Sequence, residues 1–190
     1  CGVIANGIIT PEDTFSCTEG WVNTTFKGGA GTWSTDRPLL ALKMTTGQSI
    51  FEVTPAAAGG TETALKIFAY NGSSMVAMGT TTAEVAIGTW YRIAVKWYVD
   101  GTGKGYFTLY INGVTMGEKT MVGTGAGATA TRLQWGGPIS GTNKVYHDHT
   151  VVYDSKGDDG TRETWIQGLA PKQDDADGAF TPLSGSDLYA

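Results

Sequence analysis

The chain has 190 residues, 41% of them hydrophobic and only 16% charged, with 28 glycines, six tryptophans and a net charge of −5. That length suits one domain with its own core, and the composition excludes both a disordered segment and a helical bundle. No apolar run reaches the roughly 18–20 residues of a membrane helix, and no cluster of Lys and Arg offers the basic patch that nucleic-acid binding needs.

The acidity is local. Residues 1–147 carry ten Lys and Arg against nine Asp and Glu, whereas residues 148–190 carry three against nine. Residues 1–14 are expected to form an N-terminal arm. Cys1 and Cys17 either close one disulfide loop or remain thiols, since two cysteines make no scaffold and their spacing fits no zinc or redox motif. Asn23-Thr24-Thr25 and Asn71-Gly72-Ser73 are formal glycosylation acceptors of a kind that arises by chance in Thr-rich chains.

Strands are expected at 21–27, 38–45, 49–54, 83–87, 131–136 and 144–154. Asn71-Gly72, between "ALKIFAY" and "SSMVAMG", reads as a tight hairpin. The strongest pattern follows it. Tyr91, Ile93, Val95, Trp97 and Val99 alternate with Arg92 and Lys96, the period of two of a strand with one buried face. After a Gly-rich turn over 100–105, Phe107, Leu109 and Ile111 alternate again, and Asn112-Gly113 supplies the positive-φ pair of a type I′ turn. Gly123 to Ala130 reads as a flexible loop; it lacks the Lys and the following helix of a phosphate-cradling loop. Turn signals every 8 to 12 residues, with no sustained helical period, define an all-β sandwich or jelly roll.

These motifs, in this order, resemble the concanavalin A-like, laminin G-like jelly roll. "GTWYRIAVKWYVD" is similar to the family's central strand beginning Gly-x-Trp, "GYFTLYINGV" to the next strand with its Asn-Gly turn, and "DHTVVYDSKG" to a late strand. The closing segment, 165–190, resembles the end of laminin G-like proteins of tailed bacteriophages: Leu169, Pro171, Asp177-Gly178, Phe180-Thr181-Pro182 and Ser184-Gly185 follow in that family's order. The expected architecture is therefore an antiparallel two-sheet jelly-roll sandwich over 15–164 with an irregular acidic tail over 165–190.

The resemblance implies a non-enzymatic virion structural protein, a head decoration or tail and fibre component on the particle surface. It would join a phage major capsid or tail protein, and sister copies as a trimer, by burying apolar surface. Trp165, Leu169, Phe180, Leu183 and Tyr189 are the tail residues expected at such an interface. The alternative is a lectin-like module that attaches its bearer to surface polysaccharide.

Hydrolysis of a glycosidic bond calls for paired carboxylates. No Glu-x-Asp-x-x-Glu occurs, Glu12-Asp13 lies beside Pro11 in an expected loop, and no Gly-x-Ser-x-Gly accompanies the histidines, so no catalytic residue is assigned. His147 and His149 would share one strand face about 7 Å apart, two potential metal ligands where three or four are needed; exposed or interfacial strand residues are the expected reading. Calcium is the cofactor that acidic turns would suit, with Asp154, Asp158 and Asp159 as candidate ligands and Asp174, Asp175 and Asp177 as a second run; solvated turns are the expected reading of both. Among the tryptophans, Trp33 in "GGAGTWSTDRP" and Trp135 beside Gly136-Gly137 are the candidates to stack on a sugar, with a core or interface place the expected reading of each.

Overall fold

A computed structural model of the chain describes residues 2–5, 8–9, 16–123, 128–139 and 144–153. They form two six-stranded antiparallel sheets. Sheet A has the order β1 (Gly2–Ala5), β12 (Lys144–Tyr153), β3 (Glu19–Gly28), β8 (Trp90–Val99), β9 (Gly105–Ile111), β10 (Val114–Met121). Sheet B has the order β2 (Ile8–Ile9), β11 (Ala130–Gly136), β4 (Leu40–Met44), β5 (Ser49–Pro55), β6 (Glu62–Tyr70), β7 (Met75–Ala86). The chain changes sheet after β1, β2, β3, β7, β10 and β11, so that β12 returns beside β3. This is the two-sheet jelly-roll sandwich.

Alternation within each strand builds the core. On β3, Val22 and Phe26 are fully buried; on β8, Ile93, Val95 and Trp97; on β9, Phe107 and Leu109. Sheet B answers with Leu40, Leu42, Phe51, Val53, Leu65 and Ile67. Phe51 and Phe107 meet edge to face across the sandwich, with ring centroids 6.1 Å apart. Each such buried side chain contributes on the order of 2 kcal/mol through apolar surface removed from water.

The Asn112-Gly113 turn forms as expected: φ is 49° at Asn112 and 82° at Gly113, the left-handed pair that joins two twisted strands. Asn112 also anchors the start of the neighbouring strand, its Oδ1 accepting the Arg92 N–H at 2.9 Å.

Asn71-Gly72 differs from expectation. The β6–β7 connection spans residues 71–74, and only Gly72 has positive φ. Asn71 acts through its side chain, Oδ1 accepting the N–H groups of Ser73 at 2.9 Å and Ser74 at 2.8 Å. An Asx side chain can close a turn in this way without a left-handed backbone of its own. The segments expected as "SSMVAMG" and 83–87 are one strand, β7, bulged where it faces β6. Within the expected N-terminal arm, β1 pairs with β12 and β2 with β11, one on each sheet.

Candidate functional site

The register of sheet A turns one set of side chains to the core and the alternate set outward. Opposite Val22, Phe26, Ile93 and Val95 stand Trp21, Asn23, Thr25 and Lys27 of β3, with Trp90, Arg92, Ala94, Lys96 and Tyr98 of β8. Pairing with β9 adds Tyr106, Thr108 and Tyr110, and pairing with β12 adds Tyr146, Asp148 and Tyr153. Aromatic rings and cations therefore share one sheet face.

Their contacts confirm the shared face. Lys27 Nζ lies 5.2 Å from the Trp90 ring centroid and 5.3 Å from that of Tyr146. Lys96 Nζ lies 5.6 Å from the Trp21 ring, whose other neighbour is Tyr110, tilted at 5.4 Å. Tyr98 and Tyr106 stack in parallel at 4.3 Å, and Lys104 Nζ sits 5.0 Å from the Tyr106 ring. A cation over an aromatic face gains about 0.5–1 kcal/mol when exposed.

Exposure varies along the face. Trp90, at one end, is 44% exposed, whereas Trp21, Asn23 and Ala94 in the middle are at 4%, 2% and 2%. Lys27, Arg92, Lys96, Tyr98, Tyr106, Tyr110 and Tyr146 are half-buried. Among the described residues, none of Lys27, Arg92 and Lys96 has a carboxylate within ion-pair distance. Arg92 Nη1 is buried and bonded to nothing, at a cost of about 1–3 kcal/mol for a donor taken from water without a partner. On sheet B the matching outward cation is tied down: Lys43 Nζ donates to Ser49 Oγ at 3.0 Å, and Ser49 donates to Glu52 Oε1 at 2.6 Å.

The candidates from the sequence fall elsewhere. Trp33 is a core residue, 1% exposed, its Nε1 donating to the Val85 carbonyl at 3.2 Å and its ring edge-on to Phe26; enclosed on both faces, it has no platform for a sugar. Trp135 is partly buried against the same core and tilted against His147 at 6.4 Å, with a buried Nε1 that has no partner. Its ring too lies inward of the sheet surface.

His147 corrects both readings made of it, while the His149 side chain lies outside what the structure describes. It points into the core, 4% exposed, and Nε2 donates to the Gly136 carbonyl at 3.1 Å. Burial pushes its pKa down to about 4, against the opposing pull of that hydrogen bond. It is a neutral core histidine. The strict alternation expected for this strand also fails, because β12 carries a bulge between Asp148 and Val151 where it pairs with β3. Among the described residues no three His, Cys, Asp or Glu side chains gather to hold a metal.

Asn23, a formal glycosylation acceptor, is 2% exposed and closed to modification in the fold. Cys17 is buried, bridged through its backbone to Ala130. Cys1, Asp154, Asp158 and Asp159, the second acidic run and the tail residues Trp165, Leu169, Phe180, Leu183 and Tyr189 lie outside the described residues.

Sequence reasoning missed the outward face, although part of its signal was in view. The alternation that assigned Ile93, Val95 and Trp97 to the core also placed Trp90, Arg92, Lys96 and Tyr98 together. What the pattern lacked was the neighbour: β3 lies beside β8 although some 70 residues of chain separate them at Trp21 and Lys96.

No protein-family model and no curated protein sequence matches the chain. Solved structures do. Alginate lyase Aly36B is similar with a TM-score of 0.55 and 12% identity, over 78% of this chain and 77% of that one. A double mutant of that enzyme in complex with an alginate trisaccharide is similar at 0.58 and 12%, over 80% and 79%. A heptameric SAP-like pentraxin from Limulus polyphemus is similar at 0.50 and 17%, over 79% and 74%. At these identities the likeness establishes the fold, a concanavalin A-like jelly-roll sandwich.

It also corrects the expectation of a non-enzyme. That expectation rested on missing paired carboxylates, which hydrolysis requires. A lyase breaks its bond by taking a proton beside a carboxylate, work for a single positioned base and acid, and alginate lyases share this sandwich. Neither the fold nor the missing carboxylate pair is a ground for excluding catalysis.

Proposed function

We propose that the chain is a polysaccharide-binding jelly roll whose binding surface is the outward face of sheet A. The observation that carries this is the row of rings and cations across β12, β3, β8 and β9, ending in the 44% exposed Trp90 beside Lys27 and Tyr146. Rings on a sheet offer the apolar faces of sugars a surface at little cost in side-chain entropy, while Lys and Arg fix orientation through hydroxyl and ring substituents. The resemblance of residues 165–190 to phage proteins supports a setting on a virion, where such a face would meet a host-surface polysaccharide. A glycan array probed with the full chain and with Trp90→Ala tests the proposal. Binding that Trp90→Ala weakens supports it, and no binding to any glycan overturns it.

A second reading is a polysaccharide lyase, favoured by the fold likeness to alginate lyases. Elimination needs a cation to hold the carboxylate, a base for the adjacent proton and an acid for the leaving oxygen. Arg92 and Lys96 lie on either side of Tyr110, which pairs with Ala94 between them on this face, and the three supply groups of those kinds. The ultraviolet absorbance of the unsaturated product, followed with alginate and other polyuronates, decides it: a steady rise abolished by Tyr110→Phe supports cleavage, and a flat trace with binding retained overturns it.

A further inference from the structure

We infer that the polysaccharide taken by this face is acidic, and that Arg92 is its principal anion-recognising residue. The inference rests on the binding surface proposed above and adds the charge of what it binds.

Three observations converge. Lys27, Arg92 and Lys96 share one sheet face and have no carboxylate within ion-pair distance among the described residues. On sheet B, Lys43 is linked through Ser49 to Glu52, whereas Lys66 lies over the Phe68 ring. Arg92 goes further. A guanidinium stays charged at any accessible pH and carries five donors in a planar fork, and here Nη1 is buried with nothing to bond. The fork's other donors, on this half-buried side chain, would hold an oxyanion with charge-assisted bonds.

Spacing selects the kind of anion. Arg92 and Lys96 are four residues apart on β8, about 13 Å, and Lys27 pairs with Trp90 just beyond Arg92 on the neighbouring strand. Cations at intervals along a strand pair match an extended chain with a charged group on successive rings better than one small anion. Tyr110, opposite Ala94 between Arg92 and Lys96, and the exposed Trp90 beyond Arg92 meet the apolar faces of those sugars. Nucleic acid fits poorly, since it needs densely clustered cations to neutralise closely spaced phosphates, and Asp148 shares the face.

Titration calorimetry of the full chain with a polyuronate, a sulfated galactan, a neutral glucan and single-stranded DNA tests this. The expected result is binding to one or both acidic polymers, weakened by added salt, with the neutral glucan bound at least tenfold more weakly. Arg92→Gln should lower affinity for the acidic polymer by about tenfold or more. Lys27→Gln with Lys96→Gln should lower it as well, and this pair serves should Arg92→Gln fail to fold by circular dichroism. Equal binding of the neutral glucan without salt dependence overturns the acidic assignment and leaves the binding face standing. Tighter binding of DNA than of either acidic polymer overturns it too. Silence with every polymer overturns both readings.

Discussion

The His147 ring on β12 donates from Nε2 to the Gly136 carbonyl on β11, 3.1 Å away, and so fastens an inner strand of one sheet to a strand of the other. A carbonyl only accepts, so Nε2 carries the proton and Nδ1 is bare; Nδ1 is buried without a partner. A second proton would place a charge in the core with nothing to receive it.

This makes stability depend on pH with a definite sign. The folded pKa is lowered from 6.5 to about 4, so between those values the unfolded chain binds a proton that the native chain does not. His147 brings no proton linkage above pH 6.5; as pH falls from there to about 4 its effect costs roughly 3 kcal/mol, levelling off below. Urea unfolding across that window should show the loss, and His147→Gln should flatten the slope relative to the wild-type chain.

Trp33 and Trp97 are both fully enclosed but differ in one atom's fate. Trp33 Nε1 donates to the Val85 carbonyl, whereas Trp97 Nε1 is buried without a partner. Both lose similar volume on replacement by Phe. Trp33→Phe should therefore be the more destabilising by roughly 1–2 kcal/mol, read as a difference in denaturant midpoints at constant m.

Two turn glycines separate conformational strain from collision. A Cβ on Gly113 would meet nothing within 4 Å, so Gly113→Ala should cost only the left-handed penalty of about 1–2 kcal/mol. A Cβ on Gly72 would lie 2.5 Å from the Gly123 carbonyl oxygen. Gly72→Ala should cost at least about 1 kcal/mol more, as two backbone segments must move apart. Thermal unfolding of the pair checks this.

Trp90 should separate stability from binding. Because it is 44% exposed, with Lys27 Nζ over its ring, Trp90→Ala should shift stability by less than about 1 kcal/mol. The same change should weaken polysaccharide binding by roughly fivefold, the loss of about 1 kcal/mol of stacking. An unfolding curve and a titration on one preparation give both answers.

Much of the fold was legible along the chain, for a local reason. Whether a stretch such as Tyr91–Val99 becomes a strand, and which of its residues turn inward, depends on a period of two that any strand with one buried face must show. Asn112-Gly113 announced its turn equally well, since that geometry demands positive φ at both positions. Where the cause was not local the reading failed. Asn71-Gly72 looks the same on paper, yet its turn is set by where β6 and β7 meet and by the Asn71 side chain.

The candidate site shows the same division more sharply. Trp33 sits among glycines and polar residues as a loop tryptophan would, and only the docking of its loop, through the Trp33–Ile139 bridge and the Phe26 contact, encloses it. His147 was expected as a partly exposed or interfacial strand residue; burial, a property of the assembled sandwich, made it a neutral core residue. The sequence by itself determined the all-β architecture, the amphipathic strands and their core residues, because side-chain alternation and turn chemistry act over a few residues. Only the tertiary structure decided that Trp21, Lys27, Trp90, Arg92, Lys96 and Tyr110 form one surface, because it depends on β12 and β8 flanking β3, pairings between residues far apart in the chain that no local pattern encodes.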